Sequence, residues 1–261
     1  MAFTVHAVMP GVWHIVDCMG VCMTLLEGEN AAMLVDTGYG IEDVADFMRH
    51  MTDLPLTVFL THNHHDHAMG ARCFPETYML EADMADWCMF TNDEMRRRVL
   101  TQAIGKNLPV DEKTFLAGEI PLPKVMKPGV IDLGGLTAEI IEAPGHTPGS
   151  AVVYVPERKL LLSGDDWNPC TWLFFPQALG LREYRSNMRG IQQLPFEKVL
   201  CPHRETLYDR WMFDDFFNAL TDGNLRAAEP VNIAPYEQID TCQATLPHDQ
   251  VLVFDWAKSG L

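Results

Sequence analysis

The segment Leu60-Thr61-His62-Asn63-His64-His65-Asp66-His67-Ala68-Met69-Gly70 packs four histidines and an aspartate into six residues. Imidazole nitrogens and carboxylate oxygens are the donors that zinc and iron take from proteins. In extended backbone, side chains repeat every two residues, so His62 and His64 point to the same side. Asp66 and His67 follow as the chain turns toward a helix, and they approach the same space from another direction. Three more donors stand far apart in the chain: His146 in Ala143-Pro144-Gly145-His146-Thr147-Pro148-Gly149-Ser150, Asp165 in Ser163-Gly164-Asp165-Asp166-Trp167, and His203 in Val199-Leu200-Cys201-Pro202-His203. Taken singly, His146 reads equally as a turn residue, Asp165 as a helix cap and His203 as a loop histidine. Their common feature is place. Each follows a strand-like run, as the first cluster does, and active sites of α/β proteins collect at the carboxyl ends of strands.

The elements that must position these groups are legible as pattern. Residues 12–16, 23–26 and 32–35 are strand-like, with Gly28-Glu29-Asn30 as a hairpin turn. Residues 41–51 have helical spacing, with Val44, Phe47, Met48 and Met51 on one face. Residues 56–60 form a short β-rich run ending at Thr61. The polar stretch from 81 to 106 is helical in character, and a proline-bearing stretch follows to Pro128. We read 81–128 as a helical insertion over a sheet. Strand-like runs return at 130–133, 137–141, 151–155 and 159–162, with Pro156-Glu157-Arg158 as a turn. A helix at 182–194, a strand at 198–201, an aromatic-rich helix at 208–220 and a strand at 250–255 complete the series. Strands then helices, twice over, predict two similar halves packed together within a single domain spanning 1–261.

Composition narrows the function. The 261 residues carry a formal net charge of −17, with 48% hydrophobic and 21% charged residues. That charge repels phosphate backbones, and no basic footprint for a large nucleic acid is present. No run is long and apolar enough for a membrane span, so no membrane is expected. The opening Met-Ala-Phe-Thr-Val-His lacks the pattern of a secretory signal, and the expected location is cytoplasmic. Seven scattered cysteines fit a reduced protein. Cys18 and Cys22, the one close pair, read as small buried side chains.

The run Thr61-His62-Asn63-His64-His65-Asp66-His67 resembles the His-x-His-x-Asp-His motif of the metallo-β-lactamase superfamily. Leu34-Val35-Asp36-Thr37-Gly38 is similar to that family's early aspartate motif. His146, Asp165 and His203 match its later motifs in the family's order. The likeness covers roughly residues 12–203, and it implies an α/β fold, a four-layer αββα sandwich. It further implies that His62, His64 and His146 hold one metal ion, that Asp66, His67 and His203 hold a second, and that Asp165 bridges them. Asp36 would support the ligand loop by hydrogen bonds without touching metal. The implied cofactor is two Zn2+, with Fe as the alternative. A metal-bridging hydroxide would attack a small carbonyl substrate, an ester, thioester, lactone or lactam, and Asp66 would accept a proton. The aspartate bridge resembles thioesterase-like and lactonase-like members more than zinc β-lactamases. The acidic tail lacks the basic cluster with which glyoxalase II enzymes meet glutathione. The same motif also occurs in mononuclear-iron persulfide dioxygenases, the second reading. Hydrolysis of a small phosphodiester is the third.

The partner implied is a small-molecule substrate. Beyond Asp165 the chain is unusually aromatic, and Trp167, Asn168, Trp172 and Phe174 are candidate pocket residues, as either an apolar wall or core. Trp87, Met89 and Phe90 are candidates for the same wall. Arg204, beside His203, is a candidate partner for a substrate carboxylate. Trp211, Phe213, Phe216 and Phe217 read either as a homodimer contact or as the buried face of the last helix.

Overall fold

The computed structural model describes residues 3–261. The chain opens with four strands, β1 (Thr4–Met9), β2 (Val12–Val16), β3 (Cys22–Glu27) and β4 (Ala32–Val35). Helix α1 (Val44–Met51) leads to β5 (Leu56–Phe59), and one turn of helix α2 (His65–Ala68) follows. After β6 (Tyr78–Met79) come α3 (Trp87–Thr91), α4 (Asp93–Gly105) and α5 (Glu112–Leu116), then β7 (Lys124–Val125). The second half runs β8 (Gly129–Asp132), β9 (Thr137–Glu142), β10 (Ala151–Val155), β11 (Leu160–Leu162), β12 (Cys170–Leu173), α6 (Leu181–Ile191), β13 (Lys198–Leu200), β14 (Tyr208–Asp209) and α7 (Arg210–Ala219). It closes with α8 (Asp222–Arg226), β15 (Glu229–Pro230), β16 (Thr241–Leu246) and β17 (Gln250–Asp255).

Strands β1 to β7 make one sheet in chain order, and a second sheet has the order β14-β13-β11-β10-β9-β8. Period-two alternation decides what each face meets. In β4, Met33 and Val35 turn toward the second sheet, while Ala32 and Leu34 turn outward onto Val44 and Met48 of α1. In β10, Val153 and Val155 join Met33 and Val35 between the sheets, while Val152 and Tyr154 pack outward with Leu181, Tyr184 and Met188 of α6. The layers are therefore helix, sheet, sheet, helix, the αββα sandwich that the family resemblance implies. Both faces are buried, so the strands read as continuous apolar runs. A one-residue slip of β10 would exchange its two buried faces, driving Tyr154 between the sheets and Val153 and Val155 out against α6.

Two parallel steps frame the site: β4 beside β5 in the first sheet, across α1, and β11 beside β13 in the second, across α6. Those four strands end at Asp36, His62, Asp165 and His203. The ends lie on one rim, which is how donors remote in sequence converge.

Several elements differ from the sequence expectation, β1 among them, since no strand was expected before residue 12. The helix expected from residue 41 begins at Val44, because Asp43 accepts a hydrogen bond from the Asp46 amide and caps it there. Residues 208–209, expected in a helix, pair with β13 as β14. A third sheet, in the order β12-β17-β16-β15, has no counterpart in the expected elements except β17. Its β12 runs parallel to β17 through the aromatic segment, with Thr171 and Leu173 inward and Trp172 38% exposed. Phe213 and Phe216 are fully buried beneath α7, so they belong to the core and not to a dimer face; Trp211 remains half exposed. All seven cysteines are free, and burial pushes the Cys18 and Cys22 thiols up to about 12. Among the described residues, no helix is long and apolar enough to cross a membrane.

Candidate metal centre

Asp36 is the anchor of the site. It stands in the left-handed region at φ 65°, where a non-glycine residue costs about 1–3 kcal/mol. Three partners offset that cost. The Thr61 amide donates to Asp36 Oδ1 at 2.7 Å, the Thr61 hydroxyl donates to the same carboxylate, and His67 Nδ1 lies 2.9 Å from Oδ2. Asp36 thus ties the end of β4 to both ends of the histidine cluster. Gly70 permits the close fit: a Cβ there would lie 2.1 Å from the Thr37 carbonyl oxygen.

The donors fall into groups. Ligating atoms of His62, His64 and His146 lie within 4.8 Å of one another, as do those of Asp66, His67 and His203, and those of His62, His67 and Asp165. Asp165 touches both of the first two groups. Its Oδ2 is 3.5 Å from His146 Nε2 and 3.0 Å from His203 Nε2, and its Oδ1 is 3.5 Å from His67 Nε2. Asp66 Oδ2 is 3.7 Å from both His67 Nε2 and His203 Nε2. All seven side chains expected to bind metal are brought together, and Asp36 stands one hydrogen bond behind them. His65 turns aside, its ring edge-on to Tyr39.

The electrostatics divide the groups. Burial holds His62, His64 and His146 below the ordinary histidine pKa, and neighbouring imidazoles push the same way. Burial also opposes charge on His67 and His203, yet the carboxylates of Asp165 and Asp66, joined at His67 by Asp36, together outweigh it and raise both. Asp66 is held down at about 2: burial works against ionisation, and His67, His65 and His203 outweigh it.

The donor set fits divalent cations on a direct test. His62 Nε2, His67 Nε2 and Asp165 Oδ1 are buried and have no hydrogen-bond partner. An unpaired buried polar atom costs about 1–3 kcal/mol, so three together at one point call for a common partner. Their opposite nitrogens are already engaged. His62 Nδ1 meets the Thr61 hydroxyl at 3.0 Å, His67 Nδ1 meets Asp36, and His146 Nδ1 donates to the Trp172 carbonyl at 2.6 Å. Such outer bonds fix which nitrogen is bare.

Further residues hold these loops and were not apparent in the sequence. Asp83, 1% exposed, accepts from the Asn63 amide at 3.2 Å, the Thr147 hydroxyl at 2.7 Å and the Gly149 amide at 2.6 Å. It clips the His62–His64 loop to the His146 loop. Asp166 Oδ1 accepts from the His146 amide at 3.0 Å. His14 Nε2 donates to the Arg204 carbonyl at 3.0 Å and steadies the loop of His203. No local pattern marks these residues, because their partners are 20 to 190 positions away.

The donors open onto a cavity of about 520 Å3. Phe90, Met95, Trp172, Phe175 and Tyr236 give it an apolar wall, and Arg98 and Arg204 are its cations. Asn168, Trp172 and Arg204 line it, from among the candidate pocket residues. Trp167 and Phe174 do not. Trp167 is wholly buried, with its indole N–H on Gln250 at 3.2 Å and its ring edge-on to Tyr208; Phe174 is wholly buried behind Phe175. Both lie outside β12 (Cys170–Leu173), where the strand's alternation no longer decides which way a side chain points. Of the earlier trio, Phe90 lines the cavity, Trp87 is core, and Met89 is 50% exposed outside it.

Comparison with known proteins agrees with this architecture. The family model of the metallo-beta-lactamase superfamily matches residues 16–203. An acyl-coenzyme A thioesterase of Gallus gallus is 26% identical over 200 residues, 69% of this chain and 70% of that protein. A hydroxyacylglutathione hydrolase of Bartonella tribocorum is 26% identical over 153 residues, 58% of this chain and 49% of that protein. The solved metallo-beta-lactamase from Pontibacter korlensis superposes with a TM-score of 0.59 at 17% identity, over 83% of this chain and 98% of that one; at this identity the likeness is one of fold.

Proposed function

This chain belongs to the metallo-beta-lactamase superfamily, and we propose that within it the protein is a hydrolase of a small carbonyl substrate, a thioester in first place, working with two zinc ions. The observation that carries the reading is Asp165, whose two oxygens face both donor groups. His62, His64 and His146 would hold one ion, Asp66, His67 and His203 the other, and Asp165 both. Bound there, two divalent ions supply an acidified water and a Lewis acid for the carbonyl oxygen. The chain's own residues supply the rest. Trp172, Phe175 and Phe90 exclude water from the apolar part of a substrate and lay it beside the donors. Asp66 keeps 15% of its side chain exposed and lines the cavity, where it would accept a hydrogen bond from the attacking water. Its carboxylate would orient that water and pass the proton on. The likeness to an acyl-coenzyme A thioesterase supports the choice of thioester over lactam. We read 1–261 as a single domain, with α3 to α5 as an insertion that contributes Phe90, Met95 and Arg98 to the wall.

The test is the metal content of the purified protein, followed by turnover of ester, thioester, lactone and lactam panels. Two zinc ions per chain and thioester turnover are expected. One iron per chain with oxygen uptake on a persulfide would replace this reading with that of a persulfide dioxygenase. An Asp66→Asn protein that keeps both ions and full activity would remove Asp66 from the proton path.

A further inference from the structure

Helix α4 meets the donor cavity along one face. Asn92 accepts from the Met95 amide at 2.9 Å and starts the helix there. Each residue then turns by about 100°, so the run Arg96-Arg97-Arg98 points three ways. Arg96 is buried and donates to the Ala117 carbonyl at 3.2 Å and the Gly118 carbonyl at 2.7 Å, which pins α4 to the chain just after α5. Arg97 is exposed and lines no part of the cavity. Arg98 is exposed on the cavity side, one turn beyond Met95 and one turn before Gln102, and all three line the cavity. Behind them Val99, Leu100 and Ala103 are buried and fix the helix in this orientation.

The cavity wall changes character from one donor group to the other. Phe90 and Phe175 place their rings 4.5 Å and 4.8 Å from that of His64, and Tyr236 lies edge-on to Phe175 at 5.4 Å. The wall is therefore apolar where it meets His64. Arg204 follows His203 and donates to the His203 carbonyl at 2.8 Å, so the wall is cationic beside the open donors. The arginine ion pairs among the described residues belong to Arg49, Arg96, Arg185 and Arg210; Arg98 and Arg204 have none. The carboxylates of the site do not call for them. Asp165 Oδ2 lies 3.0 Å from His203 Nε2, and Asp66 Oδ1 lies 3.8 Å from His65 Nδ1. Solubility does not call for them either, because the chain already carries a net charge of −17. Two guanidinium groups without a carboxylate partner thus face the space where a substrate enters.

We infer that the substrate carries an anionic group apart from its reacting carbonyl, and that Arg98 binds this group, with Arg204 as the second cation, while an apolar portion lies against Phe90 and Phe175. The inference rests on the thioester reading above and narrows it to amphiphilic thioesters. A guanidinium grips two oxygens of a carboxylate or phosphate through paired N–H donors. The anion meets this requirement from either side of the scissile bond, in the thiol portion or at the far end of the acyl portion. Arg98 belongs to the helical insertion, so the insertion sets the charge preference and the donor cluster sets the chemistry.

The experiment compares kcat/KM for three thioesters of similar length: the hexanoyl thioester of mercaptopropionate, charged in its thiol; the hexanoyl thioester of mercaptopropionamide, which is neutral; and the adipoyl monothioester of mercaptopropionamide, charged in its acyl group. The quantity read is the ratio of charged to neutral substrate, because loss of metal or of folded protein lowers both members alike. The unsubstituted protein is expected to favour one charged substrate by at least about tenfold, and which one tells where the anion sits. Arg98→Gln is expected to lower that ratio about tenfold and Arg204→Gln about threefold, through KM, the scale of a charge-assisted hydrogen bond. Arg97→Gln removes the same charge from the same helix outside the cavity and should leave the ratio unchanged. Turnover of all three substrates with a ratio near one overturns the inference alone. Equal effects of Arg97→Gln and Arg98→Gln also overturn it, since net charge and not contact would then be responsible. Turnover of none overturns the thioester reading. Calorimetric binding of the charged compounds then decides the inference by itself: binding weakened by Arg98→Gln and not by Arg97→Gln upholds the anion contact, and no difference removes it.

Discussion

The two donor groups that share Asp165 are built on opposite terms. His62, His64 and His146 are 1%, 4% and 2% exposed, and burial keeps their rings uncharged. Asp66 and His203 keep 15% and 28% of their side chains open, and the carboxylates of Asp165 and Asp66 hold protons on His67 and His203. The first group is a dry, neutral cradle. The second is a charge-balanced one, in which protons stand where a cation would otherwise neutralise the carboxylates. The contrast teaches that one constellation of similar residues can form two donor groups of different character, because burial and charge are distributed unequally around a shared aspartate.

The strongest way to break this contrast is to remove what the groups share. Asp165→Ala is expected to lower metal content at both groups and to reduce turnover by at least about 1,000-fold, since it withdraws a donor from each ion and the field between them. Elemental analysis and thioester kinetics measure the two effects. Loss of a single ion, with the other retained at full occupancy, would assign Asp165 to one group only.

Next in size, the single-group variants should separate. His146→Ala is expected to abolish occupancy of the buried group and His203→Ala that of the open one, each lowering turnover about 100-fold to 1,000-fold. The His203 variant should still retain one ion through gel filtration, whereas the His146 variant should lose metal more readily, because the dry group excludes competing water. Equal retention by the two variants would erase the distinction between the groups.

Acid sharpens the comparison further. In the metal-free protein His67 and His203 have raised pKa values, so they carry protons near neutrality, and an entering cation must displace them. Affinity at the open group therefore rises with pH until those raised values are passed, by about tenfold per pH unit for each proton displaced. His62, His64 and His146 have lowered values and are already neutral, so affinity at the buried group stays flat over the same range. Lowering the pH from about 8 to about 6 is expected to release one ion well before the other. Simultaneous release, followed by a metal-indicator titration, would show that the groups do not titrate independently.

The same contrast explains what was legible in the sequence. His62, His64, Asp66 and His67 could be read because one strand end and one helical turn carry them, and strand periodicity tells where they point. His146, Asp165 and His203 could be read because the apolar runs before them mark strand ends. Asp83 could not. It lies in a polar helical stretch, and only the tertiary fold brings it to the Asn63, Thr147 and Gly149 hydrogen-bonding groups. The aromatic segment after Asp165 was ambiguous because core and wall residues sit side by side in it with no regular period, most of them outside the short strand β12. Trp167 and Phe174 resolved to core, and Trp172 to wall. The β16–β17 hairpin was half missed because β16, Thr-Cys-Gln-Ala-Thr-Leu, contains few large apolar residues.

Trp172 sets the smallest expected effect and confines the comparison to the donors themselves. Its ring lies 6.1 Å from that of Phe175, on the wall that both donor groups face, and its carbonyl oxygen accepts from His146 Nδ1. The backbone contact survives substitution, so Trp172→Ala removes apolar wall and leaves the imidazole group supported. Covering a ring of this size with substrate is worth about 1–2 kcal/mol when it is 38% exposed beforehand. That corresponds to roughly a tenfold rise in KM for an acyl chain long enough to reach it, with kcat within about twofold, because the interaction is the same in the ground and transition states. A short acetyl thioester should show no change in either constant. A fall in kcat for both substrates, accompanied by loss of metal, would mean that the Trp172 side chain supports His146 after all, and that the dry group depends on its apolar wall as much as on its hydrogen bonds.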